Sequence, residues 1–156
     1  MATTEQRRMQ LTGLHHLTLI CSDMERTIRF YRDVLGLGIV RDGPSDDDPG
    51  TRHVWFGAVD GAPGRLISAM EYPSLQPGTT GVGATHHFAM AVESADELDA
   101  WRDYLRGAGM DCSEVFERSG FRSLYVRDPD GHLVEIATRL LLEPRRDLTP
   151  SSGASG

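Results

Sequence analysis

The feature that most narrows the fold of this chain is an internal repeat. Leu14 to Ile20 reads as a buried strand. Ser22 with Glu25 offers a helix capping box just after it, and Met24, Ile28, Tyr31 and Leu35 recur at helical spacing until Gly36 and Gly38 interrupt the stripe. Ile39 to Arg41, His53 to Phe56 and Leu66 to Met70 are three shorter strand candidates, parted by the acidic loop at Asp46 to Asp48 and the turn at Gly61 to Gly64. The order then returns. His87 to Val92 is strand-like, Ser94 with Glu97 is a second capping box, and Leu98, Trp101 and Leu105 form a stripe that stops near Gly107. Cys112 to Phe116, Phe121 to Arg127 and His132 to Thr138 complete the second set of strands. The echo is positional as well: His16 to Phe30 and His87 to Trp101 both span fourteen positions.

A repeat of this size means two β-α-β-β-β modules. Neither is long enough to bury much core alone, so the pair is expected to close its sheets around a shared cavity. With 156 residues, 39% of them hydrophobic, the chain suits one α+β domain. That domain is expected over residues 11–142, with modules at 13–76 and 84–140 joined by the segment Pro77 to Gly83 and with flexible termini at 1–10 and 143–156.

Strand alternation selects candidate chemistry. His16 and Thr18 face opposite to Leu17 and Leu19, so an apolar side can meet the helix while His16 turns inward. Glu135 is likewise opposed to Val134 and Ile136, among Leu133 and Ala137. A lone carboxylate in such surroundings is costly unless it is paired, protonated or bound to a metal. Two histidines can supply the remaining protein ligands of such a metal.

Other classes have less support. A net charge of -7 gives no reason to expect nucleic acid or an anionic membrane as a partner, and no apolar run approaches a membrane span. Met1 to Gln10 lacks a secretion-signal core; Cys21 and Cys112 form no CxxC pattern, which favours a reduced, cytoplasmic setting. Gly78, Gly81 and Gly83 do not follow a strand into a dinucleotide fingerprint, so no nucleotide cofactor is expected. The sequences around Asp47 to Gly50 and Asp128 to Gly131 lack the longer calcium-loop pattern and read as turns.

Three segments carry a family resemblance: GLHHLTLICSDMERTIRFYRDVLGLG, THHFAMAV and VRDPDGHLVEIAT. They resemble the vicinal-oxygen-chelate superfamily of glyoxalases, fosfomycin-resistance enzymes and extradiol dioxygenases, and their modules cover nearly everything from Gly13 to Thr138. The resemblance implies a cup or incomplete barrel, with His16, His87 and Glu135 as ligands of a divalent metal. Glyoxalases carry a fourth ligand at the end of the first module; here Ala69 stands near that position and Glu71 shares its strand parity, so a two-histidine, one-carboxylate site with open coordination positions is expected rather than a closed four-ligand site. DDPGTRHVWFG, GAPGRLISAMEYP and VFERSGFRSLYVRDPDGHLVEIAT are similar to hydroquinone-type ring-cleaving dioxygenases, proteins generally about twice this length. That branch implies pocket roles for His86, Arg118 and Tyr125.

Plainer roles compete at each position. His86 has the opposite parity to His87 and suits a supporting contact as well as acid-base work. Arg118 can counter oxygen charge or pair with surface acids; Tyr125 can donate to a bound oxygen or pack. His53 can line substrate or hydrogen-bond at a strand edge, His15 and His132 have weaker cases still, and Phe30 and Trp101 fit helix packing. The expected function is Fe(II)-dependent extradiol cleavage of a small catechol or hydroquinone by dioxygen, in a cytoplasmic homodimer. Mn(II) or Zn(II) are alternative metals. A metal-dependent lyase or isomerase, or an aromatic-compound binding and resistance protein without turnover, are the alternative functions.

Overall fold

The computed structural model describes residues 11–57 and 64–140. The expected flexible termini at 1–10 and 143–156 lie outside them, as do Gly61 to Pro63 of the expected turn. The chain divides after Pro77 into two compact units, each of which repeats the expected β-α-β-β-β order.

In the first unit β1 (His16–Cys21) leads to α1 (Met24–Ile28), which runs on through a wider helical turn at Arg29–Val34. There the Leu35 N–H donates to Phe30 O, five residues back, at 2.9 Å. The chain reverses at Gly36, whose φ of 75° is costly for any residue with a Cβ. β2 (Gly38–Pro44), β3 (Arg52–Gly57) and β4 (Leu66–Glu71) follow, and the sheet order is β1-β4-β3-β2 with β1 and β4 parallel. The second unit has β5 (Phe88–Val92), α2 (Ala95–Gly107), β6 (Phe116–Arg118), β7 (Phe121–Arg127) and β8 (Leu133–Thr138), ordered β5-β8-β7-β6 with β5 and β8 parallel. Both sheets are open and mixed, as expected for an α+β fold.

One face of each sheet is apolar and packs on its helix. Val54 and Phe56 are fully buried with Met24 and Tyr31, the Tyr31 and Phe56 rings 5.4 Å apart. In the second unit Leu98 and Leu105 of α2 are buried together with Leu124, Val126, Val134 and Ile136. The opposite face of each sheet carries the polar candidates.

Three local expectations are corrected. Asp23, not Ser22, caps α1: it stays extended and its carboxylate accepts from Arg26 N at 3.0 Å, while Glu25 pairs with Arg52. Asp caps as well as Ser does, so the helix can start one residue later. The Ser94 cap forms as expected, accepting from Glu97 N at 3.2 Å, but the returning Glu97 carboxylate takes the N–H of Glu93. The strand expected over Cys112 to Phe116 is reduced to one bridge from Cys112 to Val126, and β6 begins at Phe116. Ser113 explains this: its hydroxyl accepts Tyr125 N and its own N–H donates to Tyr125 O, both at 2.9 Å, which takes the backbone groups a continuous ladder would use.

Candidate metal centre

In the first unit His16 opens β1 and lies level with Leu66 of β4; Thr18 lies level with Ser68, and their hydroxyls are hydrogen-bonded at 2.9 Å. Trp55 of β3 is the partner of Ser68, and His53 the partner of Met70, so these residues share the His16 face. The three rings form a row, His16 to Trp55 at 4.7 Å and Trp55 to His53 at 5.0 Å. Burial, with the nearby Arg41 charge, holds His53 below its ordinary imidazole pKa. His15 and His16 face each other through their Nδ1 atoms at 3.0 Å.

The second unit brings four of the expected residues together. His87 Nε2 stands 3.1 Å from Glu135 Oε2, and the Glu135 side chain is only 6% exposed. Tyr125 is the cross-strand partner of Glu135, and its hydroxyl donates to Oε1 at 2.9 Å. Arg118 Nη2 reaches the Tyr125 oxygen at 3.5 Å, while its guanidinium lies over the Phe116 ring, 4.7 Å from the centroid. Among the described residues no carboxylate is paired with Arg118, so the surface salt bridge that competed for it at the sequence level is not what holds it. His86 repeats the His15 arrangement, its Nδ1 2.7 Å from His87 Nδ1. A groove of about 490 Å³ lined by Met110, Cys112, Ser113, Arg127 and Leu133 also reaches Tyr125.

Superposing the two registers gives module counterparts that sequence spacing misplaced. Two residues beyond His87, Ala89 lies level with Glu135; two beyond His16, Thr18 lies level with Ser68. Ser68, not Ala69, therefore stands where the second module has its carboxylate. Trp55 stands where it has Tyr125, and His53 where it has Ser123. Ala69 and Glu71 point to the helix face, and Glu71 Oε1 accepts the Met24 N–H at 2.6 Å at the start of α1. That carboxylate is employed as a helix-terminus acceptor. Trp55, on the same face as His16 and His53, is not among the residues the sequence singles out, although its alternation with His53 across Val54 was the available signal.

The donor set suits a divalent cation. Two donor atoms each about 2.1 Å from one ion and at right angles to each other stand about 3 Å apart, and His87 Nε2 and Glu135 Oε2 are at 3.1 Å. The Tyr125 bond fixes the remaining carboxylate oxygen, as outer contacts to metal-binding carboxylates commonly do. Among the described residues no group of three His, Cys, Asp or Glu side chains is drawn together closely enough to hold a metal. The structure thus forms the His87–Glu135 pair, and the joining of His16 to it is a proposal.

This chain, with its duplicated β-α-β-β-β plan, His16 opening β1 and His87 just before β5, is matched over residues 13–136 by the Glyoxalase/Bleomycin resistance protein/Dioxygenase superfamily, and it belongs to that superfamily. Among its relatives is the protein named "Putative ring-cleaving dioxygenase MhqE" of Bacillus subtilis (strain 168), 35% identical over 106 residues, which are 68% of this chain and 35% of that relative. A crystal structure of a "putative dioxygenase" from the same organism is 31% identical with a TM-score of 0.75, over 81% of this chain and 40% of that one. The chain thus spans less than half the length of these relatives. A variant of the fosfomycin resistance protein FosX from Listeria monocytogenes, complexed with Mn(II) and 1S,2S-dihydroxypropylphosphonic acid, is 26% identical with a TM-score of 0.61, over 81% of this chain and 92% of that one. No helix among the described residues is long and apolar enough to cross a membrane.

Proposed function

We propose that this chain is a metal-dependent ring-cleaving dioxygenase, in which His16, His87 and Glu135 hold Fe(II) and a small catechol or hydroquinone is opened by dioxygen. The observation that carries this reading is the buried Glu135, with Oε2 toward His87 Nε2 and Oε1 taking the Tyr125 hydroxyl. The similarity to MhqE supports the reaction class. Two imidazoles and one carboxylate are the ligand set that leaves coordination positions open at non-haem iron.

A bound ferrous ion would supply the one-electron chemistry that couples an electron-rich ring to dioxygen. The chain's own residues do the rest. Tyr125 keeps Glu135 oriented by holding its phenolic proton on Oε1. Arg118, at the Tyr125 oxygen, contributes fixed positive charge for a phenolate or another oxygen anion. For His87 to present a bare Nε2, its proton must sit on Nδ1 and be donated to His86; His15 would receive the His16 proton in the same way. His86 is thereby a supporting residue whose Nδ1 accepts the His87 Nδ1 proton.

The FosX similarity favours a second reading, a divalent-metal enzyme that acts without dioxygen. Anaerobic purification with metal analysis, followed by oxygen uptake on catechols and hydroquinones, separates the two. Uptake stoichiometric with ring opening supports the dioxygenase, whereas metal binding without uptake on any diol excludes it. A cytoplasmic homodimer is the assembly we propose, to be read from the mass in solution.

A further inference from the structure

We infer that Ser123 is a specificity-determining residue of the proposed site. Its hydroxyl stands at the inner end of a recess beside the His87–Glu135 pair and receives a neutral, oxygen-bearing substituent, such as a methoxy group, on the ring of the aromatic diol. The inference rests on the aromatic-diol reading above, and every residue it uses belongs to the second unit.

The first observation is the hydroxyl itself. Ser123 is fully buried, and its Oγ has no hydrogen-bond partner among the described residues. β7 is an inner strand at this point, with Ser123 paired to Phe116 of β6 on one side and to Ala137 of β8 on the other, so the ladder takes the neighbouring backbone carbonyls. By contrast the Ser68 hydroxyl donates to Thr18, and that of Ser113 accepts the Tyr125 N–H. A buried hydroxyl without a partner is less favourable than an alanine in the same place, and native proteins rarely keep one without a use.

The second observation is what surrounds it. Alternation with the buried Leu124 puts Ser123 on the face of Tyr125 and Glu135. Across the sheet its row reads Ala91, Ala137, Ser123 and Phe116, next to the row of Ala89, Glu135 and Tyr125. Three small side chains beside a glutamate and a tyrosine leave a depression. It opens at the exposed Ala91, deepens through Ala137 at 8% exposure and ends at Ser123, with the Phe116 ring, 40% exposed, as its far wall.

Same-face positions along a strand are about 7 Å apart, roughly the span of a benzene ring with one substituent. A diol held at the His87–Glu135 pair therefore lays its substituent along Ala91 and Ala137, and a turn of the exposed Phe116 ring uncovers the hydroxyl for it. No side chain of the row is charged, and Arg118 is engaged with the Phe116 ring and the Tyr125 oxygen, so a neutral acceptor suits the recess better than an ionised one. An alkyl group of the same size would leave the hydroxyl unpaired, which is the basis of the selectivity.

The test is oxygen-free titration of the Fe(II)-loaded chain with catechol and hydroquinone, each unsubstituted and with a methoxy or an ethyl group on the ring, for wild type, Ser123→Ala and Ala137→Val. Thermal melting of the ligand-free protein accompanies it. For a parent diol that binds, wild type is expected to prefer the methoxy over the ethyl derivative about fivefold to tenfold, the scale of one hydrogen bond. Ser123→Ala should abolish that preference with little change for the parent diol, and should leave the ligand-free Tm equal or higher, because no bond within the chain is lost. Ala137→Val fills the recess and should weaken both derivatives about tenfold more than the parent. A preference retained in Ser123→Ala, a ligand-free Tm lowered by it, or equal losses for parent and derivatives in Ala137→Val would each overturn the inference. So would a wild type that binds a parent diol without favouring methoxy over ethyl, and that result leaves the diol reading intact. Failure of wild type to bind either parent would overturn that reading and this inference together.

Discussion

The Tyr125 hydroxyl donates to Glu135 Oε1 at 2.9 Å from the adjacent strand, at a position fixed by the β7–β8 register. Because the bond is cross-strand, it does not depend on a loop, and it leaves Oε2 for His87. It also separates two roles for the tyrosine, packing and proton donation, that one substitution can resolve.

Tyr125→Phe keeps the ring and removes the donor. Under the proposed function it should lower turnover per bound iron about tenfold, the scale of one hydrogen bond to a charged group, with a smaller loss of iron occupancy. Arg118→Met keeps a long apolar stem over Phe116 and should lower turnover by at least as much, most of all for anionic substrates. Oxygen-electrode rates normalised to iron content check both.

The paired histidines give a spectroscopic expectation. In the metal-loaded protein His16 and His87 should carry their proton on Nδ1, with His15 and His86 protonated on Nε2, because the Nδ1 atoms of each pair face each other at 3.0 and 2.7 Å. Long-range nitrogen-proton correlation spectra of a Zn(II)-loaded sample read the tautomers directly. His86→Ala should weaken metal binding by about tenfold or more, in line with lost outer contacts at other metal sites. Unchanged affinity would assign His86 to surface packing.

Much of the fold was legible because both modules write the same order of strand, cap and helical stripe, and because Glu135 sits alone among apolar neighbours on its strand. What sequence spacing could not supply was register between strands distant in the chain. The fourth-ligand position falls near Ala69 by sequence, one residue from Ser68, which the register sets level with Thr18, and one residue exchanges the two faces of a strand. Only that register shows that Trp55 stands at the counterpart of Tyr125. The cap at Asp23 and the late start of β6 are similar one-site competitions, decided by which side chain reaches a backbone group first.

Asp128 anchors the turn between β7 and β8, accepting Asp130 N at 3.0 Å and His132 N at 2.8 Å, with His132 Nδ1 2.8 Å from its other oxygen. The hydrogen bond to Asp128 raises the His132 pKa above its ordinary value near 6.5, against the opposing effect of burial. A raised folded-state pKa contributes stability fully present below about pH 6.5 and lost as pH rises through the raised value. His53, held low by burial, acts with the opposite sign as pH falls below about 6.5. The difference in melting temperature between wild type and His132→Gln should therefore be largest near pH 6 and shrink toward pH 9. Asp128→Ala should destabilise at every pH, since Oδ1, the acceptor of two backbone N–H groups of the turn, is lost with it.

The most direct test of the metal proposal is anaerobic Fe(II) titration of the wild-type chain and of His16→Ala, His87→Ala and Glu135→Ala, with circular dichroism to establish that each remains folded. One ion per chain is expected, with affinity reduced at least a hundredfold in each of the three variants and nearly unchanged in Glu71→Ala, whose carboxylate is engaged at Met24 N. Wild-type affinity in folded His87→Ala and Glu135→Ala would contradict the account at its centre.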